Sequence, residues 1–142
     1  MSGSLGPVNA APAPTPSTTP ATRPAWPAAV CDLVCVLVFT VVGTLSHDTG
    51  GVGHVALVGL PFVVGLAVGW LATRAWRAPA QVWPTGVAVW FATVVLGLVL
   101  RPVLGIGGVE VSFAIVTAVF LGVTMLGWRA LASLAARRAR RP

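Results

Sequence analysis

Four uninterrupted apolar stretches leave this chain few folds to choose from. They run from about Pro27 to Ser46, from Val55 to Thr73, from Pro84 to Leu100 and from Val111 to Leu131. Each holds about 17–21 residues, the length that crosses ~30 Å of hydrocarbon at ~1.5 Å per helical residue. Inside hydrocarbon every backbone N–H and C=O must be satisfied within its own segment, so such spans are helices. A water-facing globule is excluded by charge. Charged residues make up 8% of the chain, against ~25% in a soluble domain whose surface must be wetted. The expected fold is all-α: a four-span transmembrane helical bundle over 27–134. A Pro/Ala/Thr-rich tail precedes it over 1–26, and an Arg-rich tail follows over 135–142.

The first tail carries Pro7, Pro12, Pro14, Pro16, Pro20 and Pro24. Such a run neither forms a hydrogen-bond ladder nor buries apolar area, so disorder is expected. It has neither the basic start nor the apolar stretch of a signal peptide. Pro27 and Pro84 fall at helix starts, where the missing N–H costs little. Pro61 sits about two turns into the second stretch and either kinks that helix or marks its true start.

All nine basic residues are arginines. With four spans, Arg23, Arg74, Arg77, Arg137, Arg138, Arg140 and Arg141 lie on one side, with Arg129 just inside the same boundary and Arg101 alone at the other. That bias places both termini in the cytoplasm. Trp26, Trp76, Trp83 and Trp128 fall near the same boundary, where indoles settle. The arginines flank apolar segments and form no soluble basic face, which argues against nucleic acid. The terminal arginine run would also attract anionic lipid.

A shift of 57 residues lays Trp26-Pro27 on Trp83-Pro84, Gly50-Gly51-Val52 on Gly107-Gly108-Val109 and Gly65 on Gly122. Read as a duplication, this makes two parallel helical-hairpin repeats.

The third span carries Gly86, Trp90, Thr93, Gly97 and Arg101 on one narrow stripe, since spacings of three and four share a helix face. Glycines admit a neighbouring helix and Thr93 is placed to hydrogen-bond across the contact. The first span presents Asp32, Phe39, Gly43, Ser46 and His47, which sets Asp32 opposite the Gly86–Trp90 level and His47 at the level of Arg101. An acid in a span is expensive and faces protein or water. Asp32 is read either as a structural partner of Arg129, Arg74 or Arg77, or as a proton or cation site facing Trp90 and Thr93. At the far end Ser46, His47, Asp48, His54, Arg101 and Glu110 gather as a closing polar network. Cys31 and Cys35, spaced i, i+4, read as small buried core residues. Gly65 and Gly69 form a small-xxx-small pair that favours close helix contact, within the chain or between copies. No catalytic set, metal-ligand pattern or cofactor fingerprint is assembled by these residues.

Several of these residues, in this order, resemble a family of small bacterial membrane proteins known as domain of unknown function 3054. The resemblance spans about residues 28 to 131. It rests on Asp32 with Phe39 and Gly43, Ser46-His47, Pro61-Phe62, Gly69-Trp70, Gly86, Trp90, Thr93, Gly97 and Leu100-Arg101. It continues through Ser112-Phe113, Ile115-Val116 and Gly127-Trp128-Arg129. It implies an integral protein of the bacterial cell membrane and carries no catalytic residue with it. Two functions remain open at this level. One is a packing or partner-binding module that associates with itself or with another membrane protein. The other is a small ion-coupled transporter or channel acting as an oligomer.

Overall fold

The structure, a computed structural model, describes residues 24–45 and 51–140. The tail ahead of Pro24, and Ser46, His47 and Asp48 with their expected polar contacts, lie outside the described residues. Four long helices follow in order: α1 (Trp26–Leu45), α2 (Val52–Thr73), α3 (Val87–Val103) and α4 (Val111–Arg138). All four, α3 taken with the turn before it, are long and apolar enough to cross a membrane.

α2 starts well before Pro61, so this proline lies buried inside the helix and does not begin it. α2 closes at Arg74, whose N–H still donates to the carbonyls of Trp70 and Leu71 and whose left-handed backbone (φ 50°) turns the chain out of the helix. A 3₁₀ turn (Ala75–Arg77) and a widened turn (Val82–Gly86) lead into α3, with Trp83 extended within the second. α4 continues past the expected Leu131 to Arg138. A helix of 28 residues is ~42 Å long, more than the hydrocarbon needs, so its arginine-bearing last turns project from one end of the bundle.

The most intimate helix pair is α2 with α3. Glycine explains the approach. A Cβ on Gly65 would stand 3.0 Å from the Thr93 carbonyl oxygen and 3.1 Å from Thr93 Cα. One on Gly69 would stand 3.1 Å from Ala92 Cβ. The small-xxx-small pair is therefore used within the chain. On the opposing helix, the space above Gly97 is taken by the Phe62 ring. Phe62 in turn meets Phe39 edge-on at 5.2 Å between centroids, and Phe39 lies 5.7 Å from Phe120 and 6.2 Å from Phe113. Val36, Val89, Leu121 and Met125 complete a fully buried middle.

Two expectations fail in physically simple ways. Thr93 does not hydrogen-bond across the helix contact. Its hydroxyl donates back one turn to the Val89 carbonyl at 2.8 Å, as Thr40 does to Val36 and Thr117 to Phe113. Within hydrocarbon the nearest acceptor is the helix's own backbone, and the i−4 carbonyl is always in reach. Cys31 faces outward and is not a core residue, while Cys35 packs against the core. Valines and leucines such as Val34, Val38, Val95 and Val123 also face outward, as a lipid-covered surface requires.

Gly97→Ala forces the Phe62 ring out of place and is expected to lower stability by about 1–3 kcal/mol. Gly43→Ala, whose Cβ meets nothing within 4 Å, is expected to leave stability unchanged or slightly raised. Thermal unfolding of both variants in the same detergent checks this contrast.

Candidate functional site

Asp32 lies on the buried face of α1, about 9 Å above the helix start at 1.5 Å per residue. Its carboxylate and the Arg129 guanidinium of α4 are both 0% exposed. They pair side-on: Nη1 donates to Oδ1 and Nη2 to Oδ2, each at 2.6 Å. This two-point geometry is the strong form of an arginine–carboxylate contact. Two indoles complete the shell. Trp70 of α2 donates Nε1–H to Oδ2 at 2.8 Å, and Trp128 of α4 donates to Oδ1 at 2.9 Å. A carboxylate offers about four acceptor positions, and here each oxygen accepts two hydrogen bonds.

The guanidinium is held as closely. Nε donates to the Pro79 carbonyl at 3.2 Å and Nη1 also to the Met125 carbonyl at 2.9 Å. The Trp128 ring lies beneath it, 4.6 Å from Cζ to the centroid, a cation–π distance. Gly86 makes room: a Cβ there would stand 2.7 Å from Arg129 Cδ and 3.0 Å from the Gln81 carbonyl oxygen. One ion pair thus gathers α1, α2, α4, the α2–α3 connection and the turn that opens α3.

Of the partners proposed for Asp32, the structure selects Arg129; Arg74 and Arg77 are exposed. Trp90 does not face Asp32. Its Nε1–H donates to the Ala118 carbonyl at 3.1 Å, beside Gly122. Trp128 turns its indole N–H inward to the acid, whereas Trp26, Trp76 and Trp83 stay exposed. Sequence reasoning missed Trp70 as a ligand of the carboxylate. The available signal was its place near the end of α2, at the level of Asp32 in the second turn of α1.

Arg101 stands at the opposite end of the bundle, its Cζ 4.5 Å from the Phe113 ring centroid. Among the described residues, its Nε and Nη1 are buried without a partner. With Gly43, Thr44, His54 and Phe39 it lines a cavity of about 200 Å³. Glu110 is exposed at the start of α4 and, among the described residues, pairs with no cation. The stripe Gly86, Trp90, Thr93, Gly97 and Arg101 therefore serves four separate contacts: the clasp, α4, α2 and the far-end cavity.

Removing one member of a buried pair strands the other charge and is expected to destabilise by about 3–5 kcal/mol. Asp32→Asn and Arg129→Met should each do so. The double variant should be less destabilised than the sum of the two by about 1–3 kcal/mol, as contacting groups couple. Chemical or thermal unfolding of all four proteins in one detergent measures the cycle.

A profile of the family described as proteins of unknown function, DUF3054, matches residues 29–132. No curated protein and no solved structure gives a match. The matched region begins in the first turn of α1 and takes in Asp32, Trp70, Gly86, Trp128 and Arg129, so every residue of the clasp falls within it. The chain, a multi-pass membrane protein by its four spans, belongs to the DUF3054 family.

Proposed function

We propose that this chain is a packing and binding module of the cell membrane, with both ends in the cytoplasm, and that Asp32 is a structural anion and not a carrier of protons or cations. The observation that carries the reading is the saturation of Asp32: four donors occupy its four acceptor positions. A coupling acid has to exchange its proton or ion in each cycle. Here every such exchange would displace a hydrogen bond and leave the Arg129 charge buried without a counterion, which is costly inside a bilayer. The same saturation leaves the carboxylate no position for general acid–base work, so the module is read as non-enzymatic.

The packed middle supports the same reading. Phe39, Phe62, Val36, Leu121 and Met125 fill the space between the clasp and the far-end cavity. The exposed Arg137, Arg138 and Arg140 would hold the projecting end of α4 against anionic lipid, at ~1 kcal/mol per arginine near the surface. The partner of such a module is another membrane component or a second copy of the chain.

Proteoliposomes with a pH gradient test this reading. No proton-coupled ion flux above protein-free vesicles is expected from the wild type. A flux that disappears in Asp32→Asn, with helix content and melting temperature retained, would assign Asp32 the carrier role instead.

A further inference from the structure

The second arginine of the bundle differs from the first in a way the clasp does not account for. Arg129 has acceptors for its charge; Arg101, among the described residues, has none. Its Nε and Nη1 are buried and bond to nothing, and among the described residues the sole ion pair is Asp32–Arg129. Arg101 as a whole is half-buried, but donors buried without an acceptor are costly, and native structures explain such groups by a ligand, an ion or water. The guanidinium is nonetheless held in place. The Phe113 ring lies 4.5 Å from Cζ, and Gly107, at a positive φ of 149°, brings the backbone so close that a Cβ would stand 3.2 Å from Nη2.

The cavity beside it has two kinds of wall. Phe39, Phe113 and Val58 are apolar; Arg101 and His54 supply polar N–H donors. Thr40 and Thr44 also line it, but their hydroxyl protons are committed to backbone carbonyls at 2.8 Å, so towards the cavity they offer oxygen acceptors. Its volume of about 200 Å³ is below the ~300–1,000 Å³ of a drug-sized pocket and equals roughly seven waters at ~30 Å³ each. Gly43 keeps it open, since nothing stands within 4 Å of a Cβ there.

The geometry points to a binding site for a small organic carboxylate, its oxyanion on Arg101 and its apolar body between Phe39 and Phe113. This goes beyond the module reading and is independent of Asp32, which lies at the other end of the bundle.

Benzoate is a suitable probe, with formate (charge without a body) and benzyl alcohol (a body without charge) as comparators. Binding is measured by saturation-transfer NMR on the full chain in nanodiscs of zwitterionic lipid. Benzoate is expected to bind at least tenfold more tightly than either comparator. Arg101→Gln should weaken it tenfold or more. Gly43→Leu, which fills the cavity and leaves Arg101 in place, should abolish it. Melting temperatures of both variants near the wild-type value exclude misfolding as the cause. Benzoate binding equal to that of benzyl alcohol, or unchanged in both variants, would overturn the proposal. Displacement of benzoate when phosphatidylglycerol is added to the disc would also overturn it, by assigning Arg101 to a lipid headgroup. Failure here leaves the flux result untouched, so the two readings fall separately.

Discussion

A carboxylate and a guanidinium removed from water lose several kcal/mol of hydration each, and mutual attraction alone does not reliably repay that loss. What makes the Asp32–Arg129 pair tenable is the completeness of its surroundings. Two short charge-assisted bonds join the ions, two indoles finish the carboxylate, two carbonyls and an aromatic face receive the guanidinium. Those partners come from α1, α2, α4 and the α2–α3 connection, so satisfying one ion pair fixes the relative height and rotation of the helices. Apolar packing in a bilayer is weakly directional, because lipid tails are as apolar as leucine. A buried polar cluster supplies the direction that packing lacks.

The rest of the bundle follows from that constraint. With α1 and α4 tied at one end, α2 and α3 close on each other through glycines, and the Phe62 ring takes the space that Gly97 leaves. The phenylalanines meet in the middle through edge-on and tilted contacts. Gly86 is a consequence of the clasp and not of helix–helix contact, since its missing side chain is where Arg129 passes. Beyond the packed middle lies the cavity beside Arg101, whose Nε and Nη1 have no partner among the described residues. Among the described residues, the charges of the clasp are satisfied, and two donors of Arg101 at the other end are not.

Much of this was legible in the residues. Four spans follow from length and apolarity, and Gly65, Gly69 and Gly97 announce close contacts by their spacing. Asp32 is conspicuous because an acid in hydrocarbon requires a partner, and Arg129 was among the candidates. Which tryptophans serve that acid was not legible. Trp70, Trp90 and Trp128 all lie in or near spans, and helix rotation, which no single-helix pattern sets, decides which indole turns inward. Thr93 illustrates a related limit: its position on the stripe is right, but the choice between an acceptor across the contact and one on its own helix is made by distance. The outward turn of Cys31 has the same origin, a rotation fixed by Asp32 one residue later. The run of α4 to Arg138 was hidden because polar residues past a membrane boundary carry no hydropathy signal, although Ala and Arg are good helix formers.

The clasp can be tested in the membrane itself by hydrogen exchange of the indole N–H groups, followed by ¹⁵N NMR of tryptophan-labelled protein in nanodiscs. Trp70 and Trp128 are predicted to exchange slowly beside the exposed Trp26 and Trp83. In Asp32→Asn their protection is predicted to fall, while Trp90, which donates to Ala118, keeps its own. Wild-type exchange at Trp70 and Trp128 as fast as at Trp83 would contradict the account, because the carboxylate would then hold neither indole.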